Sequence, residues 1–283
     1  MKLFLTGGTG FLGSYFMQQA LSEGHTVKVH RRSLSSRTKI PIFGEPEWLN
    51  CAFNEITSSD LFGCDILVHL MAHSVQYPFD NLTNCLNYNL IQVLDLFEKA
   101  RLAGISHFLV AGSCFEYGTS GERYDFIPTY APLEPTNSYS ISKAAASIAL
   151  KEWANRHSLN LEILRIFHIF GEGESSSRFW PSLKASALAG HDFPMSLGQQ
   201  IRDFVQVDHV AAVFLKRALI MVSSSPSFAL FNVGSGRPQS LISFAEFWWS
   251  QWNATGNLLP GLIPYRENEC FRYVAGPNLL IAE

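Results

Sequence analysis

The sequence predicts an α/β fold in which a doubly wound parallel sheet is followed by a smaller C-terminal lobe. Strand-like runs alternate with helix-like runs over residues 1–111, which is the pattern of β-α-β units. Runs 66–68 and 108–110 are apolar at every position, as strands covered by helices on both faces require. Beyond Gly171 the composition shifts toward Gly, Ser, Pro and aromatic residues, which predicts a loop-rich lobe.

The elements follow one another in a regular order. Pro128, Pro132 and Pro135 mark an extended loop before a helix that begins near Asn137. The predicted strands are 2–6, 26–30, 65–70, 108–111 and 161–167, and the predicted helices before that loop are 11–21 and 84–103. We therefore place one domain over residues 1–170, with returns to it around 200–235, and the smaller lobe mainly over 171–283.

Composition and charge limit the classes of partner. Lys and Arg number 21 against 24 Asp and Glu, so a net charge of −3 provides no broad basic field for nucleic acid or an anionic membrane. Only 16% of the 283 residues are charged, and we therefore expect a partner subunit to cover part of the surface.

Cysteine and histidine spacing argues against metal sites and disulfides. The five cysteines are scattered without Cys-x-x-Cys spacing, and the histidines do not pair at helical spacing with acids. No window reaches the roughly 18 apolar residues that a bilayer crossing needs. We expect no metal and no membrane span, and a location in the reducing cytoplasm.

A glycine-rich turn joins the first strand to the first helix. Gly7, Gly10 and Gly13 stand in G-x-x-G-x-x-G spacing, which suits a tight turn, close approach to a pyrophosphate and close helix–strand packing. The following helix N-terminus, at Phe11 and Leu12, offers free N–H groups to phosphate. This turn predicts dinucleotide binding in a Rossmann arrangement, although an ordinary β-α turn has the same composition.

The end of the second strand indicates which dinucleotide binds. Dinucleotide folds commonly carry an acid there to hold the ribose 2′-hydroxyl, but this chain has Arg31 and Arg32. Guanidinium groups pair with a 2′-phosphate that a carboxylate repels, so NADP(H) is favoured and NAD(H) stays possible.

Three residues form a candidate catalytic group. Tyr139 and Lys143 are four residues apart at the start of a helix and share one face. A neighbouring ammonium favours the phenolate, so we expect Lys143 to lower the pKa of Tyr139 and make it a usable proton donor or acceptor. Ser113 follows a strand at a carboxyl end, where doubly wound sheets bind ligands, and its hydroxyl is placed to hold a substrate oxygen.

Taken together, these motifs resemble the extended short-chain dehydrogenase/reductases, the NAD-dependent epimerase/dehydratase family. The segments that carry the resemblance are 6–13, 68–72, 112–118, 135–143 and 202–208. The resemblance implies a Rossmann domain with Leu70 and Ala72 beside the cofactor, a nucleotide-sugar substrate bound by the small lobe, and a homodimer through helices matching 84–103 and 137–157.

The resemblance also implies substrate-binding residues. Arg202 and Arg266 match arginines that contact the substrate diphosphate, and Arg178 stands where a related subgroup has a histidine. His168 stands where the family usually has Asn, and a His at this position resembles the abequose-synthase type of reductase. We interpret His168 as a contact to the nucleotide or sugar, with a packed core histidine as the alternative.

The resemblance leaves two reactions open. Dehydratases of the family carry Asp-Glu after the Ser or Thr, but this chain has Cys114 and Phe115, which excludes carboxylate acid-base work there. Glu116 is expected to point to the other face if the segment stays extended. Reduction of a 4-keto sugar and 4-epimerisation remain, and the two arginines favour reduction. A non-catalytic NADP(H)-sensing regulator is the alternative of another class.

Overall fold

The computed structural model describes residues 1–266, 269–276 and the backbone of 279–280. The strands are β1 (Lys2–Thr6), β2 (Thr26–Arg31), β3 (Glu47–Asn50), β4 (Ile66–His69), β5 (His107–Ser113), β6 (Asn160–Ile166), β7 (His168–Phe170), β8 (Phe193–Met195), β9 (Ile201–Arg202), β10 (Phe204–Gln206), β11 (Phe228–Gly234), β12 (Gln239–Ser240), β13 (Leu258–Pro260), β14 (Arg272–Tyr273) and β15 (Leu279–Leu280). The α-helices are α1 (Phe11–Ser22), α2 (Ser58–Leu61), α3 (Leu82–Leu86), α4 (Gln92–Leu102), α5 (Ser138–Arg156), α6 (Phe179–Ala189), α7 (Val207–Met221) and α8 (Leu241–Gln251).

An eight-stranded sheet forms the centre of the fold, in the order β15-β11-β6-β5-β4-β1-β2-β3. Every neighbouring pair in it is parallel. Helices α1 and α7 cover one face, and α4 and α5 cover the other. The predicted doubly wound parallel sheet is therefore confirmed.

Buried aromatic and aliphatic side chains hold the layers together. Phe16 on α1 and Phe214 on α7 pack into one core, while Phe97 on α4 and Phe108 on β5 pack into the other, all without solvent exposure. Burying one such side chain contributes about 1.5–3 kcal/mol. The strands that read as apolar on both faces lie between these two cores.

The helical stretch 82–102 contains a π turn over Asn87–Ile91, between α3 and α4. The sequence predicts one continuous α-helix over 84–103, whereas the structure has a π turn between two α-helices. The extra residue turns Asn89 inward, where its Nδ2 donates to Ser142 Oγ at 2.9 Å and to the carbonyl of His73 at 3.1 Å. Asn89 thereby ties α5 to the loop that follows β4.

The smaller lobe contains short sheets and two aromatic clusters. Strand pairs β7–β10 and β8–β13 and the set β12-β9-β14 surround α6 and α8. Trp180, Phe244 and Trp249 are buried there, and Trp248 and Trp252 pack against them. Strand β11 joins the main sheet, and helix α7 packs on one of its faces.

No helix within the described residues is long and apolar enough to cross a membrane. All five cysteines are free.

Candidate active site

The glycine turn packs so tightly that side chains are excluded. A Cβ on Gly13 would lie 2.0 Å from the carbonyl oxygen of Gly7, and a Cβ on Gly7 would lie 2.6 Å from the nitrogen of Met71. Gly7 also has a φ of +79°, which favours glycine. Gly10 is the N-cap of α1 and has no side chain to occupy the N–H groups that follow it at Phe11 and Leu12. These features fit the pyrophosphate of a dinucleotide.

The carboxyl end of β4 lies against this turn. Leu70 N donates to the carbonyl of Thr6 at 3.1 Å, and Leu70 and Ala72 are both half-buried. His69 is buried just before them and shares a 2.8 Å hydrogen bond with Thr6 Oγ1. Burial, with the nearby charge of Lys143, lowers the pKa of His69 to about 3, so its ring is neutral.

Arg31 and Arg32 stand at the carboxyl end of β2, which neighbours β1. The Arg31 guanidinium lies 4.3 Å from the centroid of the Trp48 ring, and its Nε donates to Asn50 Oδ1 at 2.5 Å. Arg32 is exposed. Both contacts of Arg31 come from the edge strand β3 and orient its guanidinium.

Ser113, Tyr139 and Lys143 come together between β5 and α5. Tyr139 lies close enough to Ser113 for the serine side chain to act on its phenol, and Tyr139 is only 7% exposed. Lys143 Nζ donates to the carbonyl of Ala111, on β5, at 2.8 Å. Asn137 caps α5 by accepting from Ser140 N at 2.9 Å, so the helix begins directly before Tyr139. Tyr139 and Lys143, four residues apart, then share the inner face of its first turns.

The electrostatics of Tyr139 differ from the sequence expectation. Burial raises the pKa of Tyr139 above its usual range, and the nearby Ser113 side chain and the charge of Arg178 oppose that rise. Lys143 is not among the groups that shift it, and burial lowers the pKa of Lys143 itself. The expected lowering by Lys143 was therefore wrong for the protein alone, because desolvation of the phenol dominates.

His168 lies on β7, with its ring between those of Phe115, Phe204 and Tyr273. Its Nδ1 is buried without a hydrogen-bond partner among the described residues. Burial first, then the charges of Arg202 and Arg178, lower the pKa of His168 well below its usual value. A neutral imidazole with a free ring nitrogen therefore faces two cations.

The arginines predicted to bind substrate are held differently. Arg202 is buried, with bonds to Glu269 Oε1 at 2.5 Å and the carbonyl of Cys270 at 2.8 Å. Arg178 Nε donates to Glu174 Oε1 at 3.1 Å. Arg266 is exposed and lies 5.5 Å from the centroid of the Tyr77 ring. The neighbouring positions 267 and 268 fall outside the described residues.

Tyr77 and Phe79 connect Arg266 to Tyr139. The ring of Tyr77 meets Phe79 edge-on, and Phe79 stacks on Tyr139 with ring centroids 6.1 Å apart. Gln76 Nε2, on the same loop, donates to Ser177 Oγ at 3.2 Å. The loop after β4 therefore bridges Tyr139 and the small lobe, a contact that sequence spacing does not reveal.

Glu116 and Asp203 are buried acids that the sequence reading did not assign to the site. Residues Cys114–Glu116 form a 3-10 turn rather than an extended segment, so Glu116 folds back beneath Ser113 and accepts its N–H at 2.8 Å. Ser-x-x-Glu is the capping-box spacing, which was an available signal for this turn. Asp203 accepts from Ser235 N at 2.7 Å and from Ala275 N at 3.0 Å.

Among the residues that the structure describes, no group of three or more His, Cys, Asp or Glu side chains is arranged to hold a metal ion.

Comparison with known proteins identifies the family. The profile of the NAD dependent epimerase/dehydratase family matches residues 3–234, most of the chain. The protein belongs to this family, as its motifs suggested.

Curated relatives and solved structures are similar over most of the chain. A dTDP-6-deoxy-L-talose 4-dehydrogenase (NAD(+)) from Aggregatibacter actinomycetemcomitans is 25% identical and covers 89% of this chain and 91% of its own. A CDP-abequose synthase from Salmonella muenchen is 21% identical, with coverage of 99% and 90%. The structure of UDP-glucose 4-epimerase from Thermotoga maritima with UDP-glucose has a TM-score of 0.85 at 21% identity, with coverage of 98% and 90%.

Proposed function

We propose that the protein is an NADP(H)-dependent reductase that acts on the 4-keto group of a nucleotide-linked hexose or deoxyhexose. The observation that carries the proposal is the buried group of Ser113, Tyr139 and Lys143 at the carboxyl end of β5. This group stands at the same edge of the sheet as the glycine turn that fits a dinucleotide.

Each member of the group has a separate task. NADPH, when bound, supplies a hydride to the carbonyl carbon. Tyr139 donates a proton to the carbonyl oxygen, and Ser113 holds that oxygen by a hydrogen bond. Lys143 orients the cofactor from the inner face of α5. The raised pKa of Tyr139 keeps the phenol protonated, which suits a proton donor to a ketone.

The cofactor preference depends on Arg31 and Arg32. Stacking on Trp48 leaves the planar Arg31 group oriented at the end of β2, and Arg32 is free to approach the same ligand. A 2′-phosphate pairs with guanidinium groups, whereas a 2′-hydroxyl gains little from them. NADP(H) is therefore the favoured cofactor over NAD(H).

The substrate diphosphate is assigned to the cationic side of the site. Arg202 and Arg178 lie near His168, and an anion between them offsets their charge. The neutral His168 ring offers a hydrogen bond to the phosphate or the sugar. Arg266 stands at the outer edge, over Tyr77, where a nucleotide enters. Named functions of the relatives, which all use nucleotide-linked sugars, support this substrate class.

A homodimer through α4 and α5 forms part of the proposal. Ile91, directly before α4, and Ile148 on α5 are 57% and 62% exposed, so both helical segments offer apolar surface to a partner. Association of these helices would cover both. In the proposed enzyme, the large domain binds the cofactor and the lobe beyond residue 170 binds the substrate. The proposed location of the protein is the cytoplasm.

The second candidate is a 4-epimerase with tightly held NAD, for which the structural similarity to UDP-glucose 4-epimerase is the favouring observation. The same Tyr139 would then act as base and acid in turn. A non-catalytic NADP(H) sensor is the third, and it does not require Ser113, Tyr139 and Lys143 to be present together.

Cofactor titration and a substrate panel test the proposal. Fresh protein is checked for retained nucleotide and titrated with NADPH and NADH by fluorescence, then assayed with CDP-, dTDP- and GDP-linked 4-keto sugars. Tighter binding of exchangeable NADPH and its oxidation by a panel member support the reductase. Retained NAD with interconversion of UDP-hexoses supports the epimerase, and cofactor binding without turnover supports the sensor.

A further inference from the structure

Glu116 is a fully buried carboxylate directly beneath the proposed catalytic serine. Its Oε1 accepts the backbone N–H of Ser113 at 2.8 Å. Its Oε2 accepts from Ser147 Oγ at 2.8 Å and from Arg165 Nε at 2.9 Å. A buried carboxylate is costly unless it is paired and hydrogen-bonded, and Glu116 meets both conditions.

These three bonds join the elements that carry the proposed chemistry. Ser113 ends β5, and Arg165 lies opposite Gly112 on the neighbouring strand β6. Ser147 is four residues after Lys143 and eight after Tyr139, so all three lie on one face of α5. Glu116 therefore contacts both the strand end with the serine and the helix face with the tyrosine and lysine.

Local packing leaves room for this carboxylate and no more. A Cβ on Gly112 would lie 3.0 Å from Glu116 Oε1 and 3.1 Å from Arg165 Cγ. The Arg165 guanidinium is 4.5 Å from the centroid of the Tyr117 ring, and its NH1 donates to the carbonyl of Thr129 at 3.3 Å. The pair is held from several sides, so the position of Glu116 is well defined.

We propose that Glu116 is a positioning residue for the oxidoreductase chemistry, holding Ser113 against the face of α5 that carries Tyr139 and Lys143 and placing a negative charge beside them. This inference rests on the proposed function. Glu116 acts through its neighbours and does not itself contact substrate.

The charge has a definite direction of effect. Glu116 raises the pKa of both Tyr139 and Lys143, because a nearby anion favours their proton-bearing forms. The other charged or titratable groups that act on Tyr139 are Cys114 and Arg178, and burial is the largest influence on both residues. Three further groups face Glu116: Arg165 on β6, and Cys114 and Tyr117, which flank Glu116 at the 3-10 turn. Protonated Tyr139 is the form that a ketone reductase needs.

A second buried Glu–Arg pair, comparable with Glu116 and Arg165, lies outside the proposed site. Glu162 on β6 is buried and accepts two N–H bonds from Arg217 on α7, one of them at 2.8 Å from Nε. It is not among the groups that shift Tyr139 or Lys143. Glu162→Gln is therefore the control for breaking a buried Glu–Arg pair without touching the proposed chemistry.

The test compares Glu116→Gln, Glu162→Gln and the parent in the NADPH oxidation assay, using the panel of CDP-, dTDP- and GDP-linked 4-keto sugars across pH. For Glu116→Gln we expect kcat to fall about 10- to 100-fold, because an amide NH2 in place of Oε2 cannot accept from Arg165 Nε, and the pair that fixes this side chain beneath Ser113 is lost. We also expect the basic limb of the pH profile to move down by roughly half to one unit, because Tyr139 loses protons more readily. NADPH affinity should match that of the parent.

The outcomes separate this inference from the proposed function. If the parent turns over and Glu116→Gln keeps its rate and its basic limb, or if Glu162→Gln shows the same shift, the positioning role is wrong while the reductase stands. A parent without turnover on every panel member overturns the proposed function and the role with it. If Glu116→Gln does not fold, the double variant Glu116→Leu with Arg165→Met replaces the pair by apolar groups, which buried pairs often tolerate, and is judged by the same readings.

Discussion

Replacing Gly13 by alanine tests the glycine turn at its tightest contact. A Cβ at this position would lie 2.0 Å from the carbonyl oxygen and 2.7 Å from the carbonyl carbon of Gly7, and 2.9 Å from Cα of Gly8. All three atoms belong to the backbone, so no flexible side chain can move aside. Because carbon contacts are comfortable only near 3.5 Å, the turn must open by more than about 1 Å.

The size of the effect follows from two opposing contributions. Gly13 is the third residue of α1, where alanine without a clash would stabilise the helix by about 0.5–1 kcal/mol. Overpacking costs about 1–3 kcal/mol, so we expect a net loss of stability. Moving the turn also removes at least one N–H bond to the cofactor phosphate, about 1.5–3 kcal/mol, which means roughly 10- to 100-fold weaker NADPH binding.

Urea unfolding and a fluorescence titration with NADPH measure both effects. Gly10→Ala is the matched variant, because its Cβ would lie 3.0 Å from the same Gly7 oxygen and requires only a few tenths of an ångström of movement. We expect a smaller loss of stability there than for Gly13→Ala. A Gly13→Ala protein that is more stable than the parent and binds NADPH equally well would refute the reasoning.

Three further predictions concern the cofactor, the substrate and pH. Arg31→Asp with Arg32→Ala should shift the ratio of Kd values toward NADH by about tenfold or more, since a carboxylate repels a 2′-phosphate; an unchanged ratio would remove these residues from the cofactor site. Arg202→Gln should raise KM for the nucleotide sugar about 10- to 100-fold with NADPH binding unchanged, measured by steady-state kinetics; an unchanged KM would exclude a phosphate contact. In the folded protein the pKa of His69 is about 3, whereas in the unfolded chain it is 6.5. The free energy of unfolding should therefore fall as the pH drops below 6.5, by about 2 kcal/mol at pH 5. His69→Gln should flatten that slope in urea unfolding, and an equal slope would assign it to other groups.

The fold was predictable because its signals are local. Strand-like runs alternated with helix-like runs, and the loop marked by prolines placed the start of the next helix near Asn137. The π turn over Asn87–Ile91 was not predictable, because the run 84–103 keeps helical periodicity through it. At this turn Asn89 contacts Ser142 on α5, a tertiary contact that the sequence pattern does not contain.

The candidate site divides in the same way. Spacing along the chain located the glycine turn and the pair Tyr139 and Lys143, since each lies within one short segment. The stacking of Phe79 on Tyr139 and the bonds of Glu116 join segments far apart in the sequence. The raised pKa of Tyr139 depends on burial, which spacing does not measure, so the expected effect of Lys143 was wrong.

The most direct test of the central claim is NADPH oxidation by parent and Tyr139→Phe with the panel of nucleotide-linked 4-keto sugars, with NADPH affinity measured on the same preparations. The account predicts that the parent oxidises NADPH with at least one sugar, and that Tyr139→Phe binds NADPH with nearly the same Kd but loses turnover at least about 100-fold. Turnover by Tyr139→Phe at the parent's rate would contradict the assignment of Tyr139 as the proton donor.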